Sequence, residues 1–333
     1  MKVHFKGTRG SIPTAYSSTE INKKIVGALL AARGKDLRSE GQIKEFVDKK
    51  LPFHLGYGWG GNTPCVHVET GSEDFLIFDG GSGIRPLGQE IAKSGVKNST
   101  FHIFISHLHY DHIQGIPFFV PAYDSSNKIV FHGGHKHLEK SLKGQMKTPF
   151  FPIDMDTFNA DVSFEIHKPG ETIDLCNSQI TIIEQDHPGI SYGYRVDSEG
   201  KSVVYSTDAE HSNLAHSKEY PFINFIKGSD LLIFDAPYTH SQSIVNREHW
   251  GHSSNIMGVE LAARGEVGTL AIFHHDPGSS DQDLDEFQAH TKKFLQSSRT
   301  AIKQPQPGLP GAPFYRKFPT EIISAYDGLS IAL

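Results

Sequence analysis

Apolar runs along the chain predict a series of buried strands, and several are followed by residues that can bind metal or transfer protons. The first run, FHIFI at residues 101–105, predicts a strand that leads directly into SHLHYDHIQG. Four later segments repeat this form, with an apolar run and then His or Asp: TIIEQDHPG, SVVYSTDAE, DLLIFDAPYT and TLAIFHHDP. The pattern therefore places chemically active side chains just after the carboxyl ends of predicted strands.

The segment after the first strand contains His107, His109, Asp111 and His112 in the pattern H-x-H-x-D-H. These side chains can converge only if the chain bends sharply after the strand, and a metal ion would stabilise that arrangement. Neutral imidazole and carboxylate suit zinc, and zinc sites that do chemistry keep one position open for water. The chain has 20 His, so a solvated His-rich turn is the alternative. Four potential ligands this close behind an apolar strand favour a metal site.

Other segments predict the remaining framework. Apolar residues at helical spacing predict a helix over residues 20–35, and further helices are predicted over 39–50, 135–146 and 281–297. Residues 164–175 and 180–187 predict adjoining strands, and residues 305–313, rich in Pro and Gly, predict a surface loop. Residues 321–333 predict a hairpin around Asp327 and Gly328.

The His-rich motif resembles the signature of the metallo-β-lactamase superfamily, and later segments follow in the order of that superfamily. His187 matches its lone downstream His, and Asp208 matches an Asp that bridges two metals. His274 or His275 matches the last His. His274 is preferred because it directly follows the apolar run.

The resemblance implies a site for two divalent metal ions, zinc in the first place and manganese as the alternative. Such ions lie about 4 Å apart and share a water whose pKa falls toward neutrality. One ion would be held by His107, His109 and His187, and the other by Asp111, His112 and His274. Asp208 would bridge them.

Two further residues resemble the phosphodiesterase branch of the superfamily, which includes tRNA 3′-processing endonucleases and cyclic-nucleotide phosphodiesterases. Asp235 ends the run DLLIFD, and His252 precedes two serines at a predicted helix start. The resemblance implies that His252 donates a proton to the leaving alkoxide and that Asp235 orients it, with Asp111 as a third catalytic residue. Two alternatives stay open: the serines merely cap the helix, and His249 competes with His252 for the role.

The Gly-rich segments KGTRGSIP and GGNTPCVHV resemble the opening hairpin of these phosphodiesterases, whose loops lie against the metal cleft. Glycine lets backbone N–H groups approach an anion closely. Arg9 and Asn62 in these loops, and His275 beside the last ligand, are therefore candidate substrate contacts, with a surface Arg as the alternative for Arg9. Asp79 resembles the family's buried aspartate that supports the metal-binding loop.

The resemblance implies an α/β fold, the four-layer αββα sandwich of the metallo-β-lactamase type, with residues 1–333 as a single domain. Residues 14–59 depart from the pattern, because the opening hairpin is normally short. This insertion predicts helices and is mildly basic. Three interpretations stay open for it: a lid over the cleft, a contact in a homodimer, and a packed surface decoration.

The charge of the chain limits the classes of substrate that we expect. The chain has 32 Lys and Arg against 38 Asp and Glu, a net charge of −6, and no dense basic run. A nuclease that neutralises many phosphates usually shows a basic stripe. Residues 188–207 leave room for a hairpin between two of the ligands but not for the long arm of tRNA-processing enzymes. We therefore expect a small phosphodiester, either a cyclic nucleotide or a cyclic ribose phosphate, cleaved by a hydroxide that bridges the metals.

Four other classes of function are alternatives to a small-molecule phosphodiesterase. An RNA-processing endonuclease would have to use the basic insertion. A lactone, thioester or lactam hydrolase has no need of the pair Asp235 and His252. An electron-transfer di-iron protein carries Glu where His109 stands, and a metal-free binding module would not keep every ligand position.

The expected location is the cytoplasm, without a membrane partner. The chain has no apolar run long enough to cross a bilayer, and its first residues predict a strand instead of a signal peptide. Cys65 and Cys176 are far apart in the sequence, so a disulfide framework is not expected.

Overall fold

The computed structural model describes residues 1–211, 215, 217, 219–239, 250–303 and 317–333, without the side chains of residues 301–303. Two features predicted from the sequence, His249 and the loop over 305–313, lie outside these residues. None of the helices in the described ranges is both long and apolar enough to span a membrane.

Fourteen described strands form two mixed sheets of seven strands each. The first sheet has the order β14-β1-β2-β3-β4-β5-β6, antiparallel from β14 to β3 and parallel from β3 to β6. Its strands are β1 (Lys2–Gly7), β2 (Cys65–Glu69), β3 (Phe75–Phe78), β4 (Thr100–Phe104), β5 (Lys128–Gly133), β6 (Asp161–Ile166) and β14 (Ser330–Ala332).

The second sheet repeats this plan with the order β13-β12-β11-β10-β9-β8-β7, antiparallel from β7 to β10 and parallel from β10 to β13. Its strands are β7 (Thr172–Leu175), β8 (Ser178–Gln185), β9 (Ser191–Ser198), β10 (Lys201–Ser206), β11 (Leu231–Asp235), β12 (Thr269–Phe273) and β13 (Glu321–Ser324).

The helices flank the outer faces of the sheets. They are α1 (Ser18–Ala32), α2 (Glu40–Lys50), α3 (Phe53–Gly56), α4 (Ile84–Ser94), α5 (Tyr110–Ile113), α6 (Leu138–Gln145), α7 (Pro221–Ile226), α8 (Asn255–Arg264) and α9 (Asp281–Lys303). Three short 3-10 helices span Ile116–Phe118, Val120–Tyr123 and Met155–Thr157. Helices α4 and α6 pack on the first sheet, and α7, α8 and α9 pack on the second.

Apolar side chains on both faces of the strands explain the uninterrupted apolar runs in the sequence. On β11, Leu231 and Ile233 pack in the core between the two sheets, while Leu232 and Phe234 pack against helices. A strand that is buried on both faces reads as a continuous hydrophobic run. The molecule therefore has the four layers, helix–sheet–sheet–helix, that the sequence predicted.

Two predictions about strand pairing are wrong. Residues 164–175 do not form one strand, because the chain leaves the first sheet after Ile166 and enters the second at Thr172, where β7 pairs with β8. The C-terminal residues do not form a hairpin either. Strand β13 pairs with β12 in the second sheet, and β14 pairs with β1 in the first. In both places a turn carries the chain between sheets, and local sequence does not distinguish that from a hairpin.

The insertion between β1 and β2 forms the two predicted helices, α1 and α2, and the short helix α3, which was not predicted. None of the residues in these helices is buried, and large aliphatic side chains such as Ile25, Leu29 and Leu30 are more than half exposed. The insertion is held at the start of α9, where Asp285 accepts bonds from His54 and Trp59, and by packing of Phe53 against Tyr326. The Asp281 carboxylate at the same helix start accepts hydrogen bonds from the Tyr16 hydroxyl and pairs with Lys24.

Loss of the Asp281 charge should loosen the insertion. Asp281→Asn removes charged contacts worth about 2 kcal/mol, so the insertion should open roughly 30-fold more often. Limited proteolysis with mass spectrometry should show faster cleavage within residues 14–59 and an unchanged metal content. Glu286→Gln, on an exposed part of the same helix, is the matched control. Equal digestion of the two variants would show that Asp281 does not anchor the insertion.

Candidate metal centre

The candidate ligands follow strands of both sheets at one edge of the sandwich. His107 and His109 lie just after β4, His187 after β8, Asp208 after β10, and His274 directly after β12. Carboxyl ends of neighbouring parallel strands meet at the same edge of a sheet, which is where open α/β folds bind ligands. The topology thus brings together residues that are far apart in the sequence.

One half of the cluster contains three imidazoles and one carboxylate oxygen. The Nδ1 atom of His109 lies 2.8 Å from Nε2 of His107 and 3.2 Å from Nε2 of His187. The Oδ2 atom of Asp208 lies 3.6 Å from Nε2 of His107 and 3.7 Å from Nε2 of His187. All four atoms therefore converge on one point.

The other half contains two carboxylates and two imidazoles. The Oδ2 atom of Asp111 lies 3.3 Å from Nε2 of His112 and 3.2 Å from Nε2 of His274. The Oδ1 atom of Asp208 lies 3.3 Å and 3.2 Å from the same two nitrogens. Asp208 thus directs one oxygen to each half, which is the arrangement of a bridging carboxylate.

These residues fit a pair of metal ions. Zinc–nitrogen bonds of about 2.0–2.1 Å in tetrahedral geometry place neighbouring ligand atoms about 3.3 Å apart, close to the separations seen here. The Nε2 atom of His112 is buried without a hydrogen-bond partner, while its Nδ1 is bonded to Asp79. A buried nitrogen left free in this way suits a ligand atom. The buried His and Asp residues are consistent with a dinuclear site.

The charges in the cluster also favour a bound cation. Burial by itself would lower the pKa of His112, but the carboxylates of Asp111, Asp208 and Asp79 outweigh it and raise that pKa well above its usual value. Burial would likewise raise the pKa of Asp208, but His274, His112 and His107 keep it well below its usual value. Asp208 is therefore ionised, as a metal ligand must be.

Buried hydrogen bonds orient the ligands, as in known metal sites. The Asp79 carboxylate accepts bonds from His112 Nδ1 at 2.7 Å, the Tyr205 hydroxyl at 2.6 Å and the Ser106 backbone N–H at 2.7 Å. It thereby supports the His-rich loop, as its sequence position suggested. Nδ1 of His187 donates to the carbonyl of Gly251 at 2.8 Å, which leaves Nε2 free for the cluster.

Three residues of the site have left-handed backbone conformations that non-glycine residues rarely adopt: Asp79, Asp208 and His274, with φ of 59°, 49° and 61°. Such conformations cost about 1–3 kcal/mol each and persist only where surrounding contacts enforce them. Each of these residues lies at or just after the end of a strand, where the unusual φ turns the side chains of Asp208 and His274 into the cleft and that of Asp79 toward His112.

His252 and Asp235 form a pair beside the cluster. Nδ1 of His252 lies 3.0 Å from Oδ2 of Asp235, and the His252 ring centre lies 5.0 Å from that of His274. Burial lowers the pKa of His252, but the charge and hydrogen bond of Asp235, with Asp208 and Asp111, raise it to about 9. Ser254 caps α8 by accepting a bond from Met257 N, so the helix cap and the pair of His252 and Asp235 are both present.

The three residues expected to contact substrate have structural roles instead. The buried Arg9 guanidinium donates to the carbonyls of Gly60, Asp276 and Ser279. The Asn62 amide is bonded to Asp327 and Ser82. Nε2 of His275 donates to the Ala325 carbonyl, and its ring is fully buried. These bonds hold loops together, while Nδ1 of His275 is buried without a hydrogen-bond partner. The substrate contacts of the three residues stay a prediction.

The cleft itself is about 430 Å³ and is lined by Ser11, Leu108, His109, Tyr110, Asp111, Asp208, His252 and His274. The sequence reasoning missed Ser11 and Tyr110. Ser11 donates its backbone N–H to Oδ2 of Asp111 at 2.7 Å, and Tyr110 is 67% exposed. Their positions gave a signal, because Ser11 lies in the Gly-rich first loop and Tyr110 lies between two candidate ligands.

Known proteins resemble this chain in sequence and in fold. The family model described as "Beta-lactamase superfamily domain" matches residues 85–275. Ribonuclease Z of Thermoplasma acidophilum is 26% identical over 280 residues, covering 68% of this chain and 87% of that protein. Zinc-bound PqqB from Methylobacterium extorquens superposes with a TM-score of 0.63 at 12% identity, covering 100% of both chains. A diphosphatase of the PhnP family gives a TM-score of 0.57 at 18% identity, covering 100% of this chain and 97% of that one.

Replacement of Asp208 should remove metal. The wild-type protein should bind two divalent metals per chain, and Asp208→Ala should lose at least one, because a bridging carboxylate serves both. Metal analysis by mass spectrometry of purified protein measures this. Asp186→Ala, an exposed carboxylate next to His187, is the matched control and should keep both metals. A full complement in Asp208→Ala would remove Asp208 from the site.

Proposed function

This chain belongs to the metallo-β-lactamase superfamily, and we propose that it is a two-metal phosphodiesterase that cleaves a small phosphodiester, such as a cyclic nucleotide or a cyclic ribose phosphate. That it is a metal-dependent hydrolase follows from the family and from the buried His and Asp cluster. The observation that supports the phosphodiester substrate is the pair of His252 and Asp235 beside this cluster.

His252 is placed to act as the general acid. Its Nδ1 is held by Asp235, so Nε2 is the nitrogen that can donate a proton to the leaving oxygen. A phosphodiester with an alkoxide leaving group needs such a proton, since an alkoxide leaves poorly. A lactam, lactone or thioester hydrolase has no need of this pair, which is why we rank those substrates lower.

Asp235 serves two groups at once. Its Oδ2 atom accepts bonds from His252 and from the backbone N–H of Ala209 at 3.2 Å, and its Oδ1 atom lies 3.5 Å from Nδ1 of His274. It therefore positions the general acid relative to a candidate ligand. When bound, two metals supply Lewis acidity and lower the pKa of a shared water. Asp111, which lines the cleft, would accept a proton from the attacking water.

The cleft suits a small substrate better than a long RNA. Its volume of about 430 Å³ lies within the usual range of small-molecule sites. Among the described residues that line it, none is Lys or Arg. In the described structure, residues 188–207 form little more than the strands β9 and β10, so no arm projects there. The similarity to ribonuclease Z makes an RNA 3′-processing activity the second candidate.

We keep two further expectations as proposals. The buried and unpaired state of Cys65 and Cys176 suits the reducing cytoplasm. Zinc is the expected metal, with manganese as the alternative, because imidazole nitrogens make up most of the donor set.

Activity assays with defined substrates test the proposed function. Zinc- or manganese-loaded protein should hydrolyse 2′,3′- or 3′,5′-cyclic nucleotides or bis-p-nitrophenyl phosphate, and should cleave a precursor tRNA poorly. Efficient cleavage of the tRNA at its 3′ side, with no turnover of small diesters, would favour the second candidate. Hydrolysis of lactones or thioesters alone would contradict both.

Loss of His252 should affect poor leaving groups most. His252→Ala should keep its metals and reduce kcat roughly 10²–10⁴-fold on substrates with an alkoxide leaving group, the range for losing a general acid. The defect should shrink for p-nitrophenolate, which needs little protonation. His137→Ala, which removes an exposed His that does not line the cleft, is the control. An equal loss on both kinds of substrate would mean that His252 only positions the phosphate.

A further inference from the structure

Tyr110 presents the largest exposed apolar surface among the described residues of the cleft. Five of the eight lining residues are candidate ligands or the proposed general acid, which leaves Ser11, Leu108 and Tyr110 as the remaining wall. Leu108 is half-buried and packs toward the core under the first sheet, whereas 67% of Tyr110 is exposed. A large aromatic ring open to water inside a cleft is a recognisable ligand-binding feature.

The backbone of Tyr110 is fixed on both sides. It is the first residue of α5, between the candidate ligands His109 and Asp111, and its carbonyl accepts a bond from Gln114 N at 2.7 Å. His109 in turn accepts a backbone bond from His112 N at 3.1 Å. The backbone that carries the ring is therefore already ordered. Little backbone freedom is lost when the ring packs against a ligand.

We propose that Tyr110 is a stacking platform for a nucleobase and that the substrate is a nucleotide diester instead of a base-free sugar phosphate. This inference rests on the proposed phosphodiesterase function. The phosphate end would be held by the cations that the His and Asp cluster would bind and by His252, which are the positive groups of the cleft. Tyr110 supplies an exposed aromatic face at the same cleft, and base stacking on such a face is tolerant of base identity. No described Lys or Arg lines the cleft to hold a ribose phosphate by charge alone.

Two substrates that share a leaving group and carry either a nucleoside or a methyl group as the other ester test the proposal. Thymidine 5′-p-nitrophenyl phosphate and methyl p-nitrophenyl phosphate share the leaving group, so chemistry on that side is the same. For Tyr110→Ala, the ratio of kcat/KM for the nucleoside ester to that for the methyl ester should fall about 5- to 100-fold, mostly through KM. Tyr110→Phe should keep the ratio, because it keeps the ring.

Two controls exclude general effects. Phe150→Ala removes an aromatic side chain that is 74% exposed but does not line the cleft, and it should leave the ratio unchanged. The metal content of Tyr110→Ala should equal that of the wild type, since Tyr110 is not a ligand. A ratio that stays the same in Tyr110→Ala, or that falls as much in Tyr110→Phe, would overturn the proposal.

A binding measurement separates this inference from the proposed function. Calorimetry on the metal-loaded protein compares thymidine 5′-monophosphate with ribose 5-phosphate. The wild type should bind the nucleotide more tightly, and Tyr110→Ala should lose most of that preference. Equal affinity of the wild type for the two ligands would overturn the role of Tyr110 even if diesters are hydrolysed. Absent turnover of every diester would instead count against the proposed function.

Discussion

The buried carboxylate of Asp208 is the group on which both halves of the site depend. One oxygen faces His107 and His187, and the other faces His112 and His274. Taking an ionised carboxylate out of water costs several kcal/mol, and only close cationic or hydrogen-bonding partners offset that cost. The ends of β4, β8, β10 and β12 must therefore meet within a few ångströms. The two sheets, packed through the apolar core between them, bring these ends together at one edge.

A second set of buried contacts keeps the ligands in place. Asp79, from the end of β3, joins the His-rich loop to Tyr205 on β10, so one carboxylate connects the two sheets. On the other side, Glu210 accepts a bond from Gly251 N at 3.0 Å, and the Gly251 carbonyl accepts from His187. A side chain at position 251 would collide with the His187 ring, which is why glycine stands there. The site is thus preorganised by parts of the chain that do not themselves face the cleft.

The residues that the motifs suggested as substrate contacts also hold parts of the scaffold together. Arg9, Asn62 and His275 connect the N-terminal loops to the segments after β12 and β13, and backbone bonds between Gly10 and His275 reinforce that junction. Their polarity serves buried hydrogen bonding, which a packed loop needs. The surface left for a substrate is smaller, and its non-catalytic part consists of Ser11, Leu108 and Tyr110. That small set favours recognition by shape and stacking over recognition by charge.

The sequence by itself placed His or Asp after a series of apolar runs, and the resemblance of these segments to a known superfamily implied the order of the ligands and the layers of the fold. His107, His187, Asp208 and His274 each lie within three residues of the end of a strand, and a strand end is a local feature that a single segment can specify. His274 could be preferred over His275 for the same reason. The tertiary structure decided what depends on distant partners: the burial of Arg9 among carbonyls of residues 60, 276 and 279, and the separate sheets of β13 and β14. The tertiary structure also left the Tyr110 ring exposed to solvent. The physical reason is that burial and hydrogen-bond satisfaction are set by whichever segments pack nearby, and a short stretch of sequence does not record its neighbours.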